Sequence, residues 1–287
     1  MRILFLAVIM VVSLLSNVQP ANAEPQPPQF AIGIGADVSR GSFGTDSTSS
    51  YASVPLIVDW FPSGRLDLEL IVPLIYQRTK NTGMAAIGGV TKSTARRTMA
   101  GQYSYIGGST AMADGGAAVG GTDGESEFGL GDITLTGGYA LMRDSDTTPN
   151  VRPTFYVKFP TADDARGLGT GEFDLGPGLS LSKWLGNWQP FAEGRYIIQG
   201  ASHGDTGALN FLTADAGVAY SWSDTFLTSV YARFGSRLFD GMSAPLEARL
   251  KAVWRFGERL YTEAYALKGL SDGSPDYGGG FAVFREF

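Results

Sequence analysis

From Phe30 to Phe287 the chain alternates apolar and polar residues with a period of two, in segments of about ten residues separated by Gly, Asp, Ser and Pro clusters. Twelve such segments can be read, at 30–41, 51–60, 66–78, 128–142, 151–160, 172–183, 188–199, 209–222, 225–237, 244–256, 259–269 and 276–287. Period two sends alternate side chains to opposite faces of a strand. Segment 244–256 shows this best: Leu246, Ala248, Leu250, Ala252, Trp254 and Phe256 share one face, and Glu247, Arg249, Lys251 and Arg255 share the other. If the first face meets lipid, a one-residue slip would put basic side chains into hydrocarbon at up to ~2–4 kcal/mol each near the midplane, so the register is strongly specified. Segment 151–160 sets Val151, Pro153, Phe155, Val157 and Phe159 against Arg152, Thr154, Tyr156 and Lys158, and segment 66–78 sets Leu66, Leu68, Leu70, Val72 and Leu74 against Asp67 and Glu69.

The connections come in two sets. Residues 61–65, 143–150, Leu185-Gly186-Asn187, Ser223-Asp224 and Gly257-Glu258 are short, whereas 42–50, 79–127, 161–171, 200–208, 238–243 and 270–275 are mostly longer. Outer-membrane barrels place short turns in the periplasm and long loops outside, and an even strand number returns both termini to the periplasmic side. The pattern therefore predicts an all-β chain: one transmembrane antiparallel up-and-down β-barrel of about 12 strands over residues 24–287.

Soluble β-sandwiches and lipocalin-like cups alternate in the same way, so tryptophan position is the sharper discriminator. Trp60, Trp184, Trp188, Trp222 and Trp254 all lie beside short turns, together with Phe61, Phe226, Phe256, Tyr261 and the terminal Phe287. A soluble core spreads its largest side chains through its middle; a membrane interface collects them at strand ends. Trp60, Trp184, Trp188, Trp222, Trp254 and Phe287 are thus the expected interface aromatics.

Composition adds the compartment. Arg2, the apolar run from Ile3 to Val12 and Ala21-Asn22-Ala23 read as a secretory signal peptide over 1–23, cleaved after Ala23 and too short to span a bilayer. With the barrel pattern, this predicts the outer membrane of a Gram-negative bacterium. The last segment, Tyr277 to Phe287, ends on an aromatic and resembles the C-terminal signal read by outer-membrane assembly machinery, although Arg285 stands where an apolar residue is usual and must snorkel. A net charge of -6 argues against a nucleic-acid partner. The chain has no cysteine, so an exported protein must be held by packing or sheet closure. Mean hydropathy is zero, as alternating lipid-facing and lumen-facing residues require.

Candidate chemistry is sparse. The single histidine, His203, lies in the loop Gly200-Ala201-Ser202-His203-Gly204-Asp205, with no arrangement that makes a nucleophile and base, so no catalytic residues are expected. Metal and cofactor are not expected either: Asp163-Asp164 and Asp272 with Asp276 read as solvated loops, with a surface Ca²⁺ site as the alternative. The glycines of Gly167-Leu168-Gly169-Thr170-Gly171 precede no helix and are loop glycines, not a phosphate cradle. The stretch 79–127 is too long for a passive connection; it either folds inward as a constriction or stands outside as a loop.

What remains is the predicted lumen. Acids come from early and middle segments (Asp67, Glu69, Asp132, Glu172, Asp174, Asp215) and bases concentrate later (Arg233, Arg237, Arg249, Lys251, Arg255), with Arg152, Lys158, Glu193, Arg195 and Glu247 completing the lining. Two outcomes are open: opposed walls with a transverse field across a pore, or ion pairs that fill the interior.

The stretch Gly129-Leu130-Gly131-Asp132-Ile133-Thr134-Leu135 and the segment Val157 to Tyr196 resemble the MetA-pathway of phenol degradation family of outer-membrane proteins, over about the middle third of the chain. The resemblance implies a transporter-like barrel and passage of small organic compounds, apolar or aromatic ones included, and brings no catalytic residues. The expectation is a passive channel or facilitator whose partners are the lipid bilayer and a small-molecule solute, gated by the long loop. The alternatives are a non-conducting structural or adhesive barrel and a secreted soluble β-protein; oligomeric state is not legible.

Overall fold

The computed structural model describes residues 29–44, 46, 48–78, 92–97, 103–109, 126–200, 209–237 and 243–287. The signal-peptide expectation, at residues 1–23, lies outside them. Among the described residues there are fifteen strands: β1 Phe30–Gly41, β2 Ser49–Trp60, β3 Leu66–Arg78, β4 Lys92–Arg97, β5 Tyr103–Ser109, β6 Ser126–Leu130, β7 Ile133–Tyr139, β8 Asn150–Phe159, β9 Asp174–Ser182, β10 Trp188–Ile197, β11 Phe211–Ser223, β12 Phe226–Gly235, β13 Leu246–Phe256, β14 Leu260–Gly269 and β15 Tyr277–Glu286.

Thirteen of them form one antiparallel ring. β6 and β7 are two halves of a single crossing strand broken at Gly131-Asp132, since β6 pairs with the upper part of β3 and β7 with the lower part. The ring is therefore a twelve-strand meander in which β2 pairs with β3, and it closes where β1 pairs with β15 from Ala31↔Glu286 to Arg40↔Tyr277. No edge is left in the ring, which is what hydrocarbon demands of a backbone it cannot hydrogen-bond.

Two expectations need amending. Residues 79–127 are not wholly irregular, because β4 and β5 pair as a hairpin within them and Ser126 and Glu127 already belong to β6. The segment 128–142 is not one continuous strand but β6 and β7.

The two faces carry opposite chemistry. On β13, Leu250 and Trp254 face out, exposed by 54% and 51%, while Glu247, Arg249 and Lys251 face in and are buried. The same inversion holds around the ring, with Leu179, Leu181, Leu212, Val230, Phe281 and Val283 outside. A soluble protein hides its large apolar residues and exposes its charges; this one does the reverse, as a lipid-facing wall must.

Near the short turns the outer surface carries rings: Phe30 stacks on Trp60 at 6.2 Å, Trp188 meets Tyr220 at 4.6 Å edge-on, and Trp254 lies 4.6 Å from Phe256. Trp222 is exposed and its indole Nε1 donates to Thr228 Oγ1, and Phe287 is also exposed. Trp184 departs from the expectation. It packs against the apolar cluster inside the barrel, because it continues the parity of β9, whose inward residues are Asp174, Gly176, Ser180 and Ser182. Arg285 is half-buried with its guanidinium over the Phe287 ring at 5.5 Å.

One substitution tests the orientation of the wall. Leu250→Arg in the refolded protein should lose about 2–4 kcal/mol in urea titrations from lipid vesicles; a change of only a few tenths would mean that this face does not meet hydrocarbon.

Candidate functional site

The inner surface of the ring is the candidate site, and its charged side chains are tied mainly to near neighbours. Arg233 grips Asp215 with two parallel hydrogen bonds, Nε to Oδ1 at 2.9 Å and Nη2 to Oδ2 at 3.0 Å, between register partners of β12 and β11. Arg195 donates to Glu193 Oε1 at 3.1 Å and Arg249 to Glu247 Oε2 at 2.7 Å, each two residues along its own strand. Lys251 meets Glu263 at 2.7 Å, and Arg255 makes a two-pronged contact with Glu286. Lys158 lies 2.8 Å from Asp174 and 3.8 Å from Asp132. Arg152 reaches Asp67 through Nε at 3.0 Å, with a second contact from Nη2. Rings add to the cations: Arg195 sits over Tyr156, Arg249 over Tyr265 and Arg255 over Tyr261, at 5.4–5.5 Å.

Of the side chains expected in the lumen, Glu69, Asp132, Arg152, Lys158, Asp174, Glu193, Arg195, Asp215, Arg233, Glu247, Arg249 and Lys251 are buried on the inner face. Asp67 and Arg255 face inward with partial exposure. Glu172 stands just before β9 and is half-buried, and Arg237 is a correction: β12 ends at Gly235, so Arg237 lies beyond the wall and is exposed. Opposed walls of acid and base are not what forms, because the later bases carry carboxylates beside them. Parity also pointed to inward acids that the sequence reading passed over, namely Asp37, Asp59, Glu263 and Glu286. Asp59 and Glu69 are register partners on β2 and β3.

Glycine decides which of these groups can meet. Along one hydrogen-bonded row Asp37 of β1 faces Gly280 of β15, which faces Tyr265 of β14, and the tyrosine hydroxyl crosses the glycine to donate to Asp37 Oδ1 at 2.8 Å. A Cβ on Gly280 would overlap the Asp37 carboxylate and stand 2.9 Å from Tyr265 Cε1. Gly138 plays the same part below the guanidinium of Arg152 on its way to Asp67, and a Cβ there would overlap it. A side chain at either position would separate the partners, leaving buried polar groups short of hydrogen bonds.

The lumen also holds apolar residues. One contiguous cluster includes Ile57, Ile71, Tyr156, Phe191, Ile197, Phe211, Leu227, Tyr231, Val253, Tyr261 and Phe284. Tyr261 stacks on Phe284 at 4.7 Å, and Phe191 meets Tyr231 at 5.8 Å. Of the carboxylates considered for metal, Asp163 caps the short 3₁₀ turn Asp164–Arg166 and Asp276 accepts the N–H of Ser42. His203 lies outside the described residues.

A closed ring of this size, greasy outside and charged within, defines the class: a transmembrane β-barrel of the outer-membrane type. The chain belongs to the family described as MetA-pathway of phenol degradation, which it matches over residues 33–287. Among solved structures it is similar to the COG4313 outer membrane channel from Pseudomonas putida F1, at 18% identity and a TM-score of 0.57, covering 94% of this chain and all (100%) of that one. It is also similar to the KdgM porin, at 7% identity and a TM-score of 0.50, covering 90% of this chain and 99% of that one. No curated protein matches the sequence.

The ion pairs make a direct stability prediction. Asp215→Ala should cost about 3–5 kcal/mol by stranding Arg233, whereas the double change Asp215→Leu with Arg233→Met should fall close to the wild type or above it. Urea midpoints of the three proteins in vesicles decide; equal losses for the single and double variants would contradict the pairing.

Proposed function

We propose that this protein is an outer-membrane channel through which small organic solutes, apolar and aromatic ones among them, pass without energy input. One observation carries the reading. The apolar cluster runs the length of the lumen, from Ile197 and Phe211 at the long-loop end of β10 and β11, past Phe191 and Tyr231, to Leu227 and Tyr261 at the short-turn end of β12 and β14. Charged pairs lie beside it. A simple ion pore has no use for such a strip. An amphipathic solute can move along aromatic faces while its polar group exchanges hydrogen bonds with the paired charges. Membership of a family named for phenol degradation is in keeping with an aromatic solute.

A second reading, a non-conducting structural barrel, draws on the burial of the inward charges: Arg152, Lys158, Arg233 and Arg249 are at most 2% exposed. In this conformation the lumen is filled, so passage requires a side chain or loop to move.

Planar-bilayer recording separates the two. A channel gives discrete unitary currents, and Arg255→Glu, at the partly exposed short-turn mouth, should shift the reversal potential across a KCl gradient toward cation preference. A folded protein that stays silent favours the structural barrel, and steps unmoved by the substitution remove Arg255 from the ion path.

A further inference from the structure

The connection 161–171 between β8 and β9 does not stand clear of the barrel. Asp163 begins a 3₁₀ turn at Asp164–Arg166, and Gly167, in the left-handed region at φ +67, redirects the chain so that Gly167, Leu168 and Gly169 are buried. Leu168 is 1% exposed and packs with Tyr51 of β2 and Ile75 of β3, with Ala162 against them. The floor beneath it is Gly129 of β6, where a Cβ would stand 2.6 Å from Leu168 Cδ1. Next to that floor the break at Gly131-Asp132 frees a carboxylate from the regular wall. Asp132 Oδ1 accepts the backbone N–H groups of Thr161 and Ala162 at 3.0 and 2.9 Å, and Oδ2 accepts that of Thr170 at 3.4 Å. A single buried carboxylate thus holds both ends of the loop. A Cβ on Gly169 would stand 2.7 Å from each of its oxygens, so the loop backbone must pass this close. Lys158 Nζ donates to Thr170 Oγ1 at 2.5 Å, and Gln77 Nε2 donates to the Gly167 carbonyl at 2.7 Å. At the rim, Arg166 bridges to Glu127 at 2.7 Å.

We propose that the notch formed by Tyr51, Ile75 and the bare backbone of Gly129 is a binding site at the long-loop mouth for a small apolar or aromatic solute, with Leu168 as its tethered occupant in the closed channel. The proposal rests on the channel reading for its purpose but not for its geometry. The notch is apolar, is walled by an aromatic ring, and opens only when the loop leaves. A branched alkyl group fills it now, so the ligand it takes is an alkyl or phenyl group of comparable bulk. Asp132 is the latch: its charge-assisted bonds to three backbone N–H groups hold the loop down, and their loss frees Leu168. The Gly129-Leu130-Gly131-Asp132 run thereby acquires one physical task, a floor and a clasp for the loop. A tethered competitor lowers the apparent affinity for a solute by the fraction of time the notch stands open.

Benzyl alcohol is the probe, with binding to the refolded full-length protein followed by saturation-transfer NMR and unitary conductance recorded in parallel. Leu168→Ala should tighten benzyl alcohol binding by about tenfold, because it removes the occupant, and Asp132→Asn should tighten it in the same direction by loosening the loop. In Glu127→Cys with Arg166→Cys, a short bis-maleimide should tie the loop down; the chain has no other cysteine to react. That cross-link should abolish benzyl alcohol binding and lower conductance. Heat-modifiable gel migration verifies folding of each variant. Equal affinity in the wild type, Leu168→Ala and the cross-linked protein would overturn the proposal, even if all of them conduct. Tight binding by Leu168→Ala in a protein that never conducts would uphold the site and overturn the channel.

Discussion

Hydrocarbon offers no hydrogen bond to a peptide group, and every strand edge within it must therefore be paired. Here β1 and β15 meet in register over ten residue pairs, from Ala31↔Glu286 to Arg40↔Tyr277, and the ring has no free edge. Once the ring closes, each residue's parity assigns it to lipid or to the lumen, and no residue can change sides without moving its whole strand. Leu250 and Arg249, adjacent in sequence, end up in opposite solvents for this reason. The aromatic rings of Trp60, Trp188, Trp222 and Trp254 lie exposed on the outer surface near the short turns, where a membrane interface would collect them.

Closure creates a second problem, an interior lined with charge. A buried charge is tolerable only when paired and hydrogen-bonded, and the barrel meets that demand locally, with Asp215–Arg233 and Glu263–Lys251 between adjacent strands and Glu193–Arg195 and Glu247–Arg249 along one strand. Two contacts that reach across an intervening strand pass over a glycine, Gly280 between Tyr265 and Asp37 and Gly138 beneath Arg152, whereas Arg255 reaches Glu286 past the Tyr261 ring near the short-turn end. The polar interior, the glycine-rich strands and the apolar strip from Phe211 to Tyr261 are in this sense one arrangement. Pairs satisfy the inward charges, glycines let two of the pairs form across a strand, and the apolar strip packs beside them.

Much of this was legible in the sequence, because period-two alternation is a local property. The limits of β1 and β3, the all-β class and the inward placement of Arg152, Arg233 and Arg249 follow from parity alone. Trp184 was misplaced by reading it as a strand-end aromatic, when its parity with Ser180 and Ser182 already pointed inward. Arg237 was misplaced the other way, since alternation loses its meaning once β12 ends at Gly235. Partners were the illegible part: Tyr265 meets Asp37 across 228 residues of sequence, and only ring closure brings them together. The inward path of 161–171 was equally hidden, because its glycines look like those of any surface loop until Asp132 is seen to hold them.

The central claim is a wall whose outer residues meet lipid while their immediate neighbours in sequence face a polar interior. Nitroxide scanning of β12, one spin label at a time from Phe226 to Gly235, tests it most directly in a chain without native cysteine. Collision with oxygen, which concentrates in hydrocarbon, should be high at Thr228, Val230, Ala232 and Phe234 and low at Leu227, Ser229, Tyr231 and Arg233, with a period of two. A flat profile, or maxima at Ser229, Tyr231 and Arg233, would contradict the account.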